Sequence, residues 1–152
     1  MSAQYKDASI DPDITIKALR KSLGELQGSK TSDVRKVAKS FKKEISKLPM
    51  NQVYKLCESL LKTKIWAETI TAYQIIFDQR NRYDKNTFTI FEDWMFKYIE
   101  DWWDCDDFMT HAFKEVLIKY PENLDLVYKW TKHKKFAVRR SAAVILIRQI
   151  EK

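Results

Sequence analysis

VRKVA, Val34 to Ala38, is echoed near the other end of the chain by VRRSA, Val138 to Ala142. The echo asks whether one structural unit recurs between them. Alanines at Ala38, Ala72, Ala112 and Ala142, separated by 34, 40 and 30 residues, fall at matching places in successive helical stretches. A small residue at that place lets an inner helix pack closely on its neighbour. The spacing is too loose for a strict repeat, but it suits degenerate helix pairs stacked in a line. The expected fold is therefore all-α, an α-solenoid of antiparallel helix pairs of the HEAT-like kind, with about eight helices.

Composition points the same way. The 152 residues include only 2 glycines and 3 prolines. Chains rich in β-turns need more of both, so long helices with short connections are expected. Residues 1–11 read as a flexible polar lead, and residues 12–152 as one helical domain. Asp11-Pro12 starts the first helix, in which Ile14, Ala18, Leu19, Leu23 and Leu26 recur at helical spacing. Gly28-Ser29-Lys30 breaks it, and Thr31 or Ser32 caps the second, which runs through Phe41 to Ile45. Pro49 opens a third helix and Trp66–Gln79 makes the fourth. The fifth carries Phe88 to Tyr98. A sixth begins near Trp103 and runs to Leu117. Pro121 opens the seventh, and the eighth runs from about Phe136 to Ile150.

Charge is unevenly placed. Lys and Arg total 28 against 21 Asp and Glu, a net charge of +7, which favours an anionic partner such as nucleic acid. Yet DWWDCDDFM, residues 101–109, packs four aspartates around two tryptophans. Asp101 and Asp104 suit a helix N-terminus, where the dipole favours carboxylates. Trp103 and Asp107, four apart, share a helix face. A carboxylate beside an indole attracts a cation, by charge and by the ring quadrupole. Asp104, Asp107 and His111, at i, i+3 and i+7, have a spacing that can also hold a metal ion. The remaining tryptophans, Trp66, Trp94, Trp102 and Trp130, are assigned mainly to the core, and His133, among lysines, to the solvated surface.

The second constellation is KKFAVRRSAAVIL, residues 134–146. Lys134, Lys135, Arg139 and Arg140 cluster at a helix start, where cations oppose the dipole and phosphates are welcome. No glycine-rich phosphate loop and no Ser/His/Asp or Cys/His nucleophile arrangement is evident. Cys57 and Cys105 form neither a zinc pattern nor a disulfide framework, which suits a reducing cytoplasm. The N-terminus lacks the apolar core of a signal peptide, and no apolar run reaches the roughly 20 residues a bilayer requires.

TSDVRKVAK (31–39), WWDCDD (102–107) and FAVRRSAAVI (136–145) together resemble the AlkD-like family of DNA alkylation repair enzymes, HEAT-like-repeat DNA glycosylases. The resemblance spans roughly residues 12–152. It implies excision of cationic N3- or N7-alkylated purines from double-stranded DNA, with Asp107 as the catalytic carboxylate. It implies Trp103 at the lesion or deoxyribose, and Arg140 on the DNA backbone, with Arg139, Lys134 and Lys135 beside it. It implies no metal, no cofactor and no membrane partner. Family members continue past the arginine helix, so the resemblance also implies a form shortened at its C-terminal end. Ser29-Lys30 departs from the aromatic-glycine pair common in the early motif. Two other readings stand beside it: a non-catalytic HEAT-like platform for DNA or protein, and a metal-dependent hydrolase using Asp104, Asp107 and His111.

Overall fold

The computed structural model describes residues 11–26 and 30–150, with only the backbone course given for 148–150. Every regular element among them is helical: α1 (Pro12–Gly24), α2 (Thr31–Ser40), α3 (Lys42–Ile45), α4 (Met50–Lys62), α5 (Trp66–Asp78), α6 (Thr87–Tyr98), α7 (Trp102–Thr110), α8 (Ala112–Lys119), α9 (Leu124–Trp130) and α10 (Phe136–Ile150). Single 3₁₀ turns at Arg80–Arg82 and Pro121–Asn123 complete the course. The expected reading of residues 1–10 and the break at Gly28-Ser29 lie outside the described residues.

Eight expected helices become ten because two of them break. The second ends at Phe41, whose N–H turns back to Ala38 O at 3.2 Å, and one further turn, α3, follows. The sixth ends at His111, with φ −116° and ψ −88°. Side chains cause that break. Thr110 Oγ1 donates to Asp106 O at 2.7 Å, and His111 Nδ1 lies 2.9 Å from Asp107 O. Both side chains compete for carbonyls that the helix would otherwise use. Ala112 consequently opens α8 and does not sit within the inner helix, unlike Ala38, Ala72 and Ala142.

Helix starts follow the local chemistry. Asp11 Oδ1 accepts from Asp13 N at 2.9 Å, with Pro12 at the first position of α1. At α2 the cap position falls on Lys30, with no side-chain cap, and Thr31 is the first helical residue. On α1, Leu19 and Thr15 turn inward while Ile14 is exposed.

The helices pack in two rows. α2, α5, α7 and α10 lie side by side in the first; α1, α4, α6 and α8 form the second, and α9 packs on α10. This is the solenoid-like arrangement that the alanine pattern implied: Ala38, Ala72 and Ala142 lie on helices of the first row and are fully covered. Between the rows lies one aromatic core. Phe91 sits at its centre, edge-on or stacked against Tyr83, Trp94, Phe108 and Phe113 at ring separations of 5.1–5.5 Å. Trp94 and Trp130 belong to this core as expected, and Trp130 Nε1 donates to Glu92 at 2.8 Å. Cys57 and Cys105 are both buried free thiols. Burial pushes the Cys57 thiol far up, and burial pushes that of Cys105 up to about 11.

Candidate functional site

α7 carries the acidic-aromatic stretch in the middle of the first row, between α5 and α10. Its start is held by a reciprocal capping box: the Asp101 side chain takes the Asp104 N–H, and Asp104 takes the N–H of Asp101 at 3.0 Å. Asp104 also accepts from Glu100 N at 3.1 Å and from Cys105 N at 2.7 Å. Two of the four aspartates therefore fix where α7 begins. Asp104 is buried and committed to backbone donors, so it does not converge with Asp107 and His111 on a metal ion, and no group of metal-ligating side chains is found among the described residues.

The other two aspartates face opposite neighbours. Asp106 turns toward α10, where Arg140 grips it with two parallel bonds, Nε to Oδ1 at 3.0 Å and Nη2 to Oδ2 at 2.9 Å. The same guanidinium lies 4.5 Å from the centre of the Trp102 ring. Phe136, at the start of α10, brings its ring to 6.2 Å from Trp102. Trp102 is 61% exposed, so it belongs to the surface and not to the core to which the sequence assigned it. The reason is rotational: α7 begins at Trp102, and its inward positions fall on Asp104, Cys105, Phe108 and Met109.

Asp107 turns toward α2. Its carboxylate pairs with Arg35, which reaches across the row, and His111 Nδ1 lies 3.7 Å from Oδ1. Burial pushes the Asp107 carboxyl above its ordinary range, while the Arg35 and His111 charges pull it back. Its side chain is only 11% exposed, against 42% for Asp106. Trp103, 39% exposed, lines a small hollow with Lys64, Thr69, Tyr98 and Glu100.

Arg140, expected on the DNA backbone, meets Asp106 and Trp102, whereas Asp107 pairs with Arg35 and Trp103 lines a separate hollow. The sequence contains two overlapping tryptophan–aspartate pairs of identical spacing, Trp102 with Asp106 and Trp103 with Asp107, and spacing alone does not choose between them. Arg35 was not singled out either, although the VRKVA echo put it in the position of Arg139.

The expected basic group gathers at the start of α10 with unequal freedom. Lys134 is exposed. Lys135 Nζ donates to Phe96 O at 3.3 Å. Arg139 Nη1 donates to His133 O at 2.7 Å and Lys134 O at 2.9 Å, stitching the turn before the helix. His133 is part-covered rather than solvated: it stacks on Phe96 at 5.4 Å and accepts from Lys135 N at 2.9 Å.

A family model described as DNA alkylation repair enzyme matches residues 14–152. No curated protein and no solved structure matches the chain.

Proposed function

The chain belongs to the DNA alkylation repair enzyme family, and from that premise we propose that it is a DNA glycosylase excising cationic N3- and N7-alkylated purines from double-stranded DNA. The observation that carries this reading is the half-exposed Asp106 carboxylate, held in a two-bond grip by Arg140 beside the open Trp102 ring.

An N-alkylated purine already bears positive charge and leaves without strong protonation. The enzyme must then stabilise an oxocarbenium-like deoxyribose and direct a water to it. A fixed carboxylate does both, as in sugar hydrolysis. Asp106 offers more access than Asp107, the carboxylate that the resemblance implies, whose side chain is 11% exposed against 42%. Trp102 offers its face to the cationic base or sugar. Arg140 fixes the carboxylate with two of its five N–H donors, and the others suit a backbone phosphate near the lesion. Lys134 and Lys135 add phosphate contacts along α10. Asp107, paired with Arg35, ties α7 to α2.

The test is release of 3-methyladenine and 7-methylguanine from methylated duplex DNA. Asp106→Asn is expected to lower release by at least about 100-fold, comparable to loss of one charge-stabilising group, with DNA binding retained. Asp107→Asn is expected to keep most of the release. The opposite ranking would move the reacting role to Asp107 and Trp103. No release by the unsubstituted chain would sink the enzymatic reading.

A further inference from the structure

Away from Asp106, at the α2 end of the first row, an open groove of about 450 Å³ runs between α2 and the C-terminal end of α5. Lys39 and Lys42 edge it from one side, Arg80 from the other, and Arg35 closes the end nearest Asp107. Lys39, Lys42 and Arg80 enter no ion pair among the described residues, in contrast to Arg35 and Arg140. Arg80 is nevertheless held in place: its guanidinium stacks 4.4 Å from the centre of the Phe77 ring, and Nη1 donates to Phe77 O at 3.3 Å. Asp78 is the lone carboxylate lining the groove, and its Oδ2 is buried without a hydrogen-bond partner. Burial pushes its carboxyl up, while the hydrogen bond from Gln74 and the charges of Lys42, Lys39 and Arg80 pull it down.

A held guanidinium and two ammonium groups outside any ion pair line one hollow and form a cationic cradle larger than the single carboxylate in it can neutralise. Lysine and arginine at such a place attract phosphate, and the attraction grows with each counterion released from DNA. The groove lies on the same row of helices as Arg140, two to three helix-to-helix steps away. Steps of about 8–10 Å give a span of roughly 16–30 Å, or about 5–9 nucleotides at about 3.4 Å each.

We propose that this groove is a second backbone-phosphate site, in which Lys39, Lys42 and Arg80 hold duplex DNA at a distance from the base to be removed. The assignment rests on the reading of DNA as partner but not on base release. The groove supplies affinity without contacting the lesion, so its occupancy is the same for damaged and undamaged duplexes. Binding there anchors the duplex across the row while Arg140, Lys134 and Lys135 hold the other end.

The experiment measures affinity for an unmodified 20-base-pair duplex over a range of salt concentrations. Lys39→Gln, Lys42→Gln and Arg80→Gln together are expected to make the slope of log affinity against log salt shallower by about 2 to 3, close to one per lost phosphate contact. A charge-matched control, Lys17→Gln, Lys55→Gln and Lys62→Gln on the α1–α4 side, is expected to leave the slope nearly unchanged. Asp78→Asn, which removes the opposing charge, is expected to tighten binding at low salt. An unchanged slope in the groove variant overturns the proposal, as does an equal change in the control, or absence of DNA binding by the unsubstituted chain. Base release, measured separately at saturating protein, tells apart the two readings. A groove effect without release keeps this site and removes the glycosylase, whereas release without a groove effect does the reverse.

Discussion

At the scale of single residues, adjacent carboxylates have different work. Asp106 and Asp107 are neighbours on α7, yet one faces α10 in the open and the other faces α2 under cover. A turn of about 100° per residue separates their directions. Trp102 follows the same logic, since its exposed indole serves no core. Trp102→Ala is therefore expected to change stability by no more than about 0.5 kcal/mol while base release falls sharply. Thermal unfolding beside the release assay checks this, and a large drop in melting temperature would make the ring a packing element. This pair also marks what was legible in the sequence. The acidic-aromatic motif and its helix were readable from residues 101–109. The neighbour each carboxylate meets was not, because two tryptophan–aspartate pairs of equal spacing overlap there and their arginine partners come from distant helices.

At the scale of elements, α7 is a bridge tied at both flanks, by Arg35 to α2 and by Arg140 to α10. The two ties are unequal. The one to Asp107 lies largely under cover, so removing the arginine strands a buried charge. Arg35→Ala is expected to cost about 1–3 kcal/mol at neutral pH. The sign of the pH dependence follows from burial. Asp107 already has a folded-state pKa above its ordinary range, so the stability that this imparts is present in acid and lost as pH rises through the folded pKa. Removing Arg35 lifts that pKa further, so the deficit grows above the carboxylate range and shrinks as acid neutralises the group. Denaturant unfolding at neutral and acid pH measures it, and a pH-independent deficit would contradict this account. Helix existence was readable from apolar spacing throughout. The breaks at Phe41 and His111 were not, since no glycine or proline marks them, and at His111 two side chains bond to nearby carbonyls.

At the scale of the whole molecule, the first row of helices is a line in which each member touches its neighbours. Ala38 and Ala142 lie on α2 and α10, the two ends of the row, and both are fully covered. Ala38→Leu and Ala142→Leu are each expected to cost about 1–3 kcal/mol by overpacking. Because α2 and α10 stand at opposite ends of the row, the double variant should match the sum to within about 0.5 kcal/mol. Strong non-additivity in denaturant midpoints would mean that the row behaves as one rigid body. The alanine pattern made this architecture legible, since close helix contacts leave little room for other side chains. Long-range pairings such as Arg35 with Asp107, 72 positions apart, leave no such periodic trace. The buried thiols have a consequence of their own. Electrophiles that methylate purine nitrogens also seek thiolates, and a repair protein works where such reagents are present. Cys57 and Cys105 are shielded by the fold and kept protonated, so neither is expected to be alkylated at sulfur on exposure to such reagents.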